Sequence, residues 1–406
     1  MIQNLDWWIY LLLAPVVYWL APARFRAGLL SIASLVVLFT MAPVDMAQMS
    51  ALALLVYGSF AWFARPALAV AGQTPPARPA KAPYVSWLFL IVFIFFFWYK
   101  YAPVLARYIA GEGGIADIIA PIGISYYSFK LIHYVLERGR NNLPEHRLQD
   151  YVSWLFLMPT FTSGPIERFD HFVQHRAPQF EIAFVIEGVT RIVQGLVKRF
   201  VLVDLLARAV AWLTGGNLAD FTYGLDGQPG VWPVWAFLLV ALVRLYLDFS
   251  AYSDIAIGVS RLFGFRIMEN FSYPLLATSL TDFWTRWHMS LTSWCRVYIY
   301  MPVVGLTRNP YYAVIATFAL VGLWHSGTHH WLAWGLWHGV GQAGVQHWGR
   351  IASRRKIKFF KKRLGKFIGW ALTLIYVMFG GCLVAFYNVG SFMDSFRLMG
   401  RAFGLW

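Results

Sequence analysis

Long apolar runs separated by short polar connectors dominate the chain. They fall near 7–22, 27–42, 46–63, 84–102, 116–136, 150–165, 182–213, 231–263, 311–325, 331–348 and 367–388. A helix needs about 20 mostly apolar residues to cross a bilayer roughly 30 Å thick. The pattern therefore predicts an all-α polytopic membrane protein, with residues 1–406 forming a single membrane domain. The run at 7–22 has no basic segment before it and no small-residue cleavage site, so it is expected to be a retained helix. Residues 270–302 mix Trp, Arg, His and Tyr and cannot face lipid all round. They predict a re-entrant or interior helix, tolerated where protein or water surrounds it.

Composition strengthens this assignment. Hydrophobic residues make up 59% of the chain and charged residues 13%, against about 25% charged in soluble domains. The net charge of +15 would suggest nucleic acid in a soluble protein. Here the cations sit in connectors, where the bias toward basic cytoplasmic loops accounts for them. The connector 65–82, with Arg65, Arg78 and Lys81, is expected on the cytoplasmic side. Segment 350–366 (RIASRRKIKFFKKRLGK) holds no acidic residue. It predicts a loop lying at lipid headgroups, or a docking surface for an acidic protein. Cys295 and Cys382 both lie in apolar context and suggest neither a disulfide nor a cysteine zinc site.

Ionisable residues inside apolar stretches cost about 2.5–3.5 kcal/mol even on the lower scales, so clusters of them imply a polar interior. In 121–138, Lys130 either binds a carboxylate or phosphate or snorkels to the interface. In 158–169, Pro159, Gly164 and Pro165 break the helix and predict a stretch lining protein interior or a cavity. In 244–261, Arg244 and Asp248 are four apart and predict a buried pair, while Asp254 beside Ser250 and Ser253 is a weaker site candidate. Asp282 and Arg286 share a helix face. His288 and His325 are candidates to converge in one cavity, where burial tunes an imidazole for proton exchange. An imidazole base suits acyl transfer to a hydroxyl, because a neutral alcohol is a poor nucleophile. Pattern alone leaves His325 equally open as a packed core residue. His325 and His329 have the i, i+4 spacing of metal ligands, but no HExxH and no nearby carboxylate accompany them. GxSxG is absent. A transporter would also suit the buried charges, but no internal repeat supports one.

PIGISYYSF (121–129), SGPIERF (163–169), YLDFSAYSDIAIGVSRLFGF (246–265), ENFSYP (269–274), DFWTRWHMSL (282–291), GLWH (322–325) and WGLWHG (334–339) occur in this order. Together they resemble the membrane-bound O-acyltransferase family, nearest its bacterial branch of alginate O-acetylation and teichoic-acid D-alanylation. The resemblance implies a ring of about eleven helices around a central funnel in the bacterial inner membrane. It implies that His325 is the essential histidine and His288 its companion, with Trp324, Ser326, Arg286, Asp254, Ser253, Lys130 and His338 around the substrates. No bound cofactor or metal is implied. The donor is a thioester, either on a phosphopantetheine-linked acyl carrier protein or acetyl-CoA, and the spelling of PTFTSGPIERF leans toward D-alanyl transfer. The implied partners are that cytoplasmic donor, membrane lipid and an extracytoplasmic accessory transferase. Two features depart from the family pattern. Arg296-Val297 stands where relatives carry Arg-Asp, and WHSG stands for WHG, with Ser326 in place of Gly.

Overall fold

The computed structural model describes residues 5–63, 83–111, 114–223, 230–387 and 390–405. The connector 65–82, with Arg65, Arg78 and Lys81, lies outside the described residues. Among those described there is no β-strand, only an isolated bridge between Arg176 and Phe265. The helices are α1 (Leu5–Leu20), α2 (Ala23–Met41), α3 (Pro43–Phe63), α4 (Pro83–Lys100), α5 (Ala102–Ala110), α6 (Ile124–Gly139), α7 (Leu148–Leu155), α8 (Phe169–Gln174) and α9 (Ile182–Val197). There follow α10 (Val203–Leu213), α11 (Leu218–Tyr223), α12 (Trp232–Leu262), α13 (Leu280–Arg286), α14 (Met289–Cys295), α15 (Met301–Thr307), α16 (Pro310–His325), α17 (His329–Arg354), α18 (Arg363–Ala385) and α19 (Phe392–Arg401). Helices α2, α3, α4, α12 and α18 are long and apolar enough to cross a bilayer, and α1 and α16 are apolar but shorter. The protein is an all-α, multi-pass membrane protein.

Not every apolar run became one helix. The run at 182–213 is interrupted by a π-helical turn at Lys198–Leu202, which places a lysine where a continuous α-helix would have a different register. The stretch 270–302 forms the short helices α13 and α14 and a second π turn at Arg296–Tyr300. None of these is long enough to span, as expected of an interior segment.

Two compact units are present: Met1–Ile192 with Ile255–Met268, and Val193–Asp254 with Glu269–Trp406. In the first, Tyr127, Tyr134, Tyr151, Trp154, Phe156 and Phe169 form a buried aromatic core. The broken segment after α7 is buried from Leu155 to Phe161, which meets the expectation that it lines protein interior. Lys130 closes it. Burial at 1% exposed corrects the snorkelling alternative. Its Nζ donates to the Trp154 carbonyl at 3.0 Å and the Thr160 hydroxyl at 3.0 Å, where the chain leaves helical geometry and frees acceptors.

Glu167 ties the same segment down. One carboxylate oxygen accepts from the Met268 N–H at 2.7 Å and the other from His171 Nδ1. The Glu167 hydrogen bond holds the His171 imidazole above its ordinary range. A raised value means that the folded protein keeps a proton the unfolded chain releases near pH 6.5. The stabilisation is therefore complete below that pH and fades as pH climbs through the folded value. Between pH 6 and 8.5 the parent should lose about 1–2 °C more in Tm than His171→Gln, read by thermal unfolding in detergent. Parallel curves for the two proteins would show that this bond does not couple folding to pH.

Candidate active site

The candidate site lies in the second unit. Ser279 caps α13 by accepting from the Asp282 N–H at 3.1 Å, and Asp282 holds Arg286 at 2.7 Å, so the predicted i, i+4 pair is present. The helix stops there. Trp287 is extended, and His288 adopts the left-handed region at φ 44°. Histidine tolerates that conformation better than most residues, but it persists only where neighbours hold it. Here the backbone on both sides of the kink is pinned, Ser272 N–H to the Arg286 carbonyl at 3.0 Å and Met289 N–H to the Asn270 carbonyl at 2.9 Å. The kink turns His288 inward, to 3% exposed.

Asn270 is completely buried and serves as a hub. Its Oδ1 accepts from His288 Nδ1 at 3.0 Å and from the Ser290 hydroxyl at 2.7 Å, and its Nδ2 donates to Ser253 Oγ at 3.2 Å. Phe249 packs edge-on against the imidazole with centroids 4.7 Å apart. His288 Nε2 is buried and has no hydrogen-bond partner among the described residues.

His325 arrives from another helix. Asn309 starts α16 by accepting from the Tyr311 and Tyr312 N–H groups, with Pro310 at the first position, the usual chemistry of a helix start. The helix ends at His325 because Ser326 is extended, at φ −158°. The half-buried imidazole stacks on Trp331, with centroids 4.4 Å apart and an interplanar angle of 18°. Trp324 lies at 4.4 Å and Trp334 meets the ring edge-on at 5.6 Å. His325 and His288 are near enough for a charge on one to be felt by the other.

The remaining predicted residues sort by position. Ser253 joins the Asn270 hub. Asp254 is held by Lys198 at 2.5 Å, from the π turn. His338 is buried between Trp284 and Trp334, and Trp334 touches both His338 and His325. Gly380 makes room for it, since a Cβ there would lie 2.6 Å from His338 Nε2. Lys130 belongs to the first unit. The expected Arg244–Asp248 pair is corrected: Asp248 pairs with Arg199 at 3.1 Å and is half-exposed, and Arg244 is exposed. His325 and His329 do not share a helix face, because one ends α16 and the other begins α17. Sequence reasoning did not single out Asn270, Ser290, Lys198, Trp331 or Trp334. Asn270 does lie within ENFSYP, one polar amide in an aromatic segment.

Fold and site define a multi-pass helical membrane protein that brings two imidazoles together from separate helices. The chain belongs to the membrane-bound O-acyltransferase family, whose profile matches residues 81–389. It is 34% identical over 297 residues to the "Probable alginate O-acetylase AlgI" of Pseudomonas aeruginosa, covering 72% of this chain and 54% of that protein. It is 28% identical over 303 residues to the teichoic acid D-alanyltransferase of Streptococcus thermophilus, covering 70% and 71%. It is 26% identical over 293 residues to the peptidoglycan O-acetyltransferase of Helicobacter pylori, covering 64% and 53%. The chain thus spans about half the length of the alginate O-acetylases it matches.

Proposed function

We propose that the chain is an O-acyltransferase of the bacterial inner membrane, which moves an acyl group from a cytoplasmic thioester donor to hydroxyls of a cell-envelope polymer. The observation that carries this is that His288, with its Nδ1 engaged by Asn270, lies within electrostatic reach of His325 on a separate helix. His325 takes the proton of an acceptor hydroxyl as its oxygen attacks the thioester carbonyl. The carbon–sulfur bond then breaks, and the leaving thiolate recovers that proton from the imidazolium. An ester and a free thiol result. Trp324, Trp331 and Trp334 crowd His325, which favours the acceptor over water as nucleophile.

Acetyl transfer from acetyl-CoA is the reading favoured by similarity, since relatives named alginate O-acetylase reach 34% identity and those named D-alanyltransferase 28–29%. D-alanyl transfer from a phosphopantetheine carrier is the second reading. It is supported by the chain covering 71% of a D-alanyltransferase's length. In either case an extracytoplasmic accessory transferase completes delivery to the polymer. The basic hairpin 350–366, which leads into the membrane-crossing α18, rests on anionic lipid headgroups at about 1 kcal/mol per cation near the surface.

The deciding assay uses purified protein in liposomes with radiolabelled acetyl-CoA or D-alanyl carrier protein and a soluble hydroxyl acceptor. Label transfer from acetyl-CoA alone is expected. Transfer only from the carrier selects the second reading. Solute flux with transfer from neither donor overturns both.

A further inference from the structure

The buried Asn270 has no part in bond making, yet it grips the chain around His288 through three contacts and ties it to α12 through a fourth. Its carbonyl takes the Met289 N–H at 2.9 Å, beside the left-handed kink. Its Oδ1 takes His288 Nδ1 and the Ser290 hydroxyl, and its Nδ2 reaches Ser253 on α12. A neutral imidazole carries one N–H, and the partner of one nitrogen decides which. An oxygen facing Nδ1 puts the proton there and leaves the lone pair on Nε2. That Nε2 is buried with no partner among the described residues, and an unmet acceptor in such a place is unfavourable.

We infer that Asn270 is a positioning residue that fixes His288 as its Nδ1–H tautomer, which leaves the Nε2 lone pair free to accept a hydrogen bond within the site while His325 takes the proton of the reacting hydroxyl. The inference rests on acyl transfer at the histidine pair. Ser253 completes the arrangement by accepting one Nδ2–H, which keeps the amide from turning over and offering a donor to the imidazole. Ser290 supplies a second donor to Oδ1 and fixes the same orientation from the other side.

Two variants test it in the full-length protein in liposomes. Asn270→Leu removes the acceptor. It should lower kcat about a hundredfold or more at little change in donor KM. Asn270→Asp still accepts from Nδ1 and should keep at least a tenth of the activity. Its carboxylate favours protonated His288, so the acidic limb of the rate–pH profile should move to higher pH. Nitrogen NMR of ring-labelled histidine reads the tautomer without any turnover. The parent and Asn270→Asp should show His288 protonated at Nδ1, and Asn270→Leu should lose that signature. A folded Asn270→Leu with parental kcat, or a parent protonated at Nε2, overturns the inference. If the tautomer is as stated but His325→Ala still transfers acyl groups, it is the acyl-transfer reading that fails.

Discussion

His325→Ala should lower acyl transfer by about 10²–10⁴-fold, the range spanned by loss of a positioned general base. The effect should fall on kcat. In the proposed reaction the imidazole acts on the proton of the acceptor, not on the body of the donor, so donor KM should change little. Alanine also removes a ring from between Trp324 and Trp331, and a collapse of the stacked indoles could lower activity for the wrong reason. His325→Phe separates the two causes. Phenylalanine keeps a flat ring on Trp331 and has no nitrogen, so its Tm should stay close to parental while transfer is lost as fully as in the alanine variant. Turnover by His325→Phe at more than a tenth of the parental rate would remove His325 from the chemistry. His288→Ala should cost a similar factor. The double variant should cost little more than either single, because groups that act as a unit do not add.

His288 and His325 were legible as candidates because each sits in a short ordered element, and because a histidine after a tryptophan in an apolar run stands out. Ser253 stood out as well, as a hydroxyl beside Asp254 in an apolar helix. What the sequence could not show was which groups answer one another over long separations. The spacing of Arg244 and Asp248 says only that the two share a helix face. Arg199 reaches Asp248 from the π turn instead, and a π turn leaves no mark in an apolar run. Lys130 was ambiguous for a related reason. Its acceptors, the Trp154 carbonyl and the Thr160 hydroxyl, become available only when the segment after α7 folds back. Asn270 was hidden by its own ordinariness: a single amide beside Phe, Tyr and Pro could equally be a turn residue. The acyl group is illegible for a chemical reason. Acetyl and D-alanyl thioesters present the same carbonyl to the same base.

Gly322, Gly335 and Gly339, where α16 meets α17, should prove nearly as intolerant as the histidine. The hairpin turns within Ser326, Gly327 and Thr328, and its two helices approach so closely that a Cβ at Gly335 would lie 2.3 Å from the Phe318 carbonyl oxygen. One at Gly322 would lie 2.1 Å from the Trp331 carbonyl oxygen, and one at Gly339 would lie 2.9 Å from Ile315 Cα. Backbone atoms opposite cannot swing aside as a side-chain tip can. Gly335 and Gly339 are four apart, the small-residue spacing that lets membrane helices meet. Gly335→Leu must therefore push α16 off α17, at a cost above the 1–3 kcal/mol usual for overpacking. Because His325 is the last residue of α16 and Trp331 and Trp334 belong to α17, the same displacement opens the indole cluster around the imidazole. The expected result is a marked fall in detergent Tm together with loss of transfer. Gly344→Leu supplies the control on the same helix, where nothing lies within 4 Å of the added carbon. It should match the parent or gain slightly, since leucine favours helix over glycine by up to about 1 kcal/mol. If the two leucine variants behaved alike, close backbone approach would not be what holds His325 against its tryptophans.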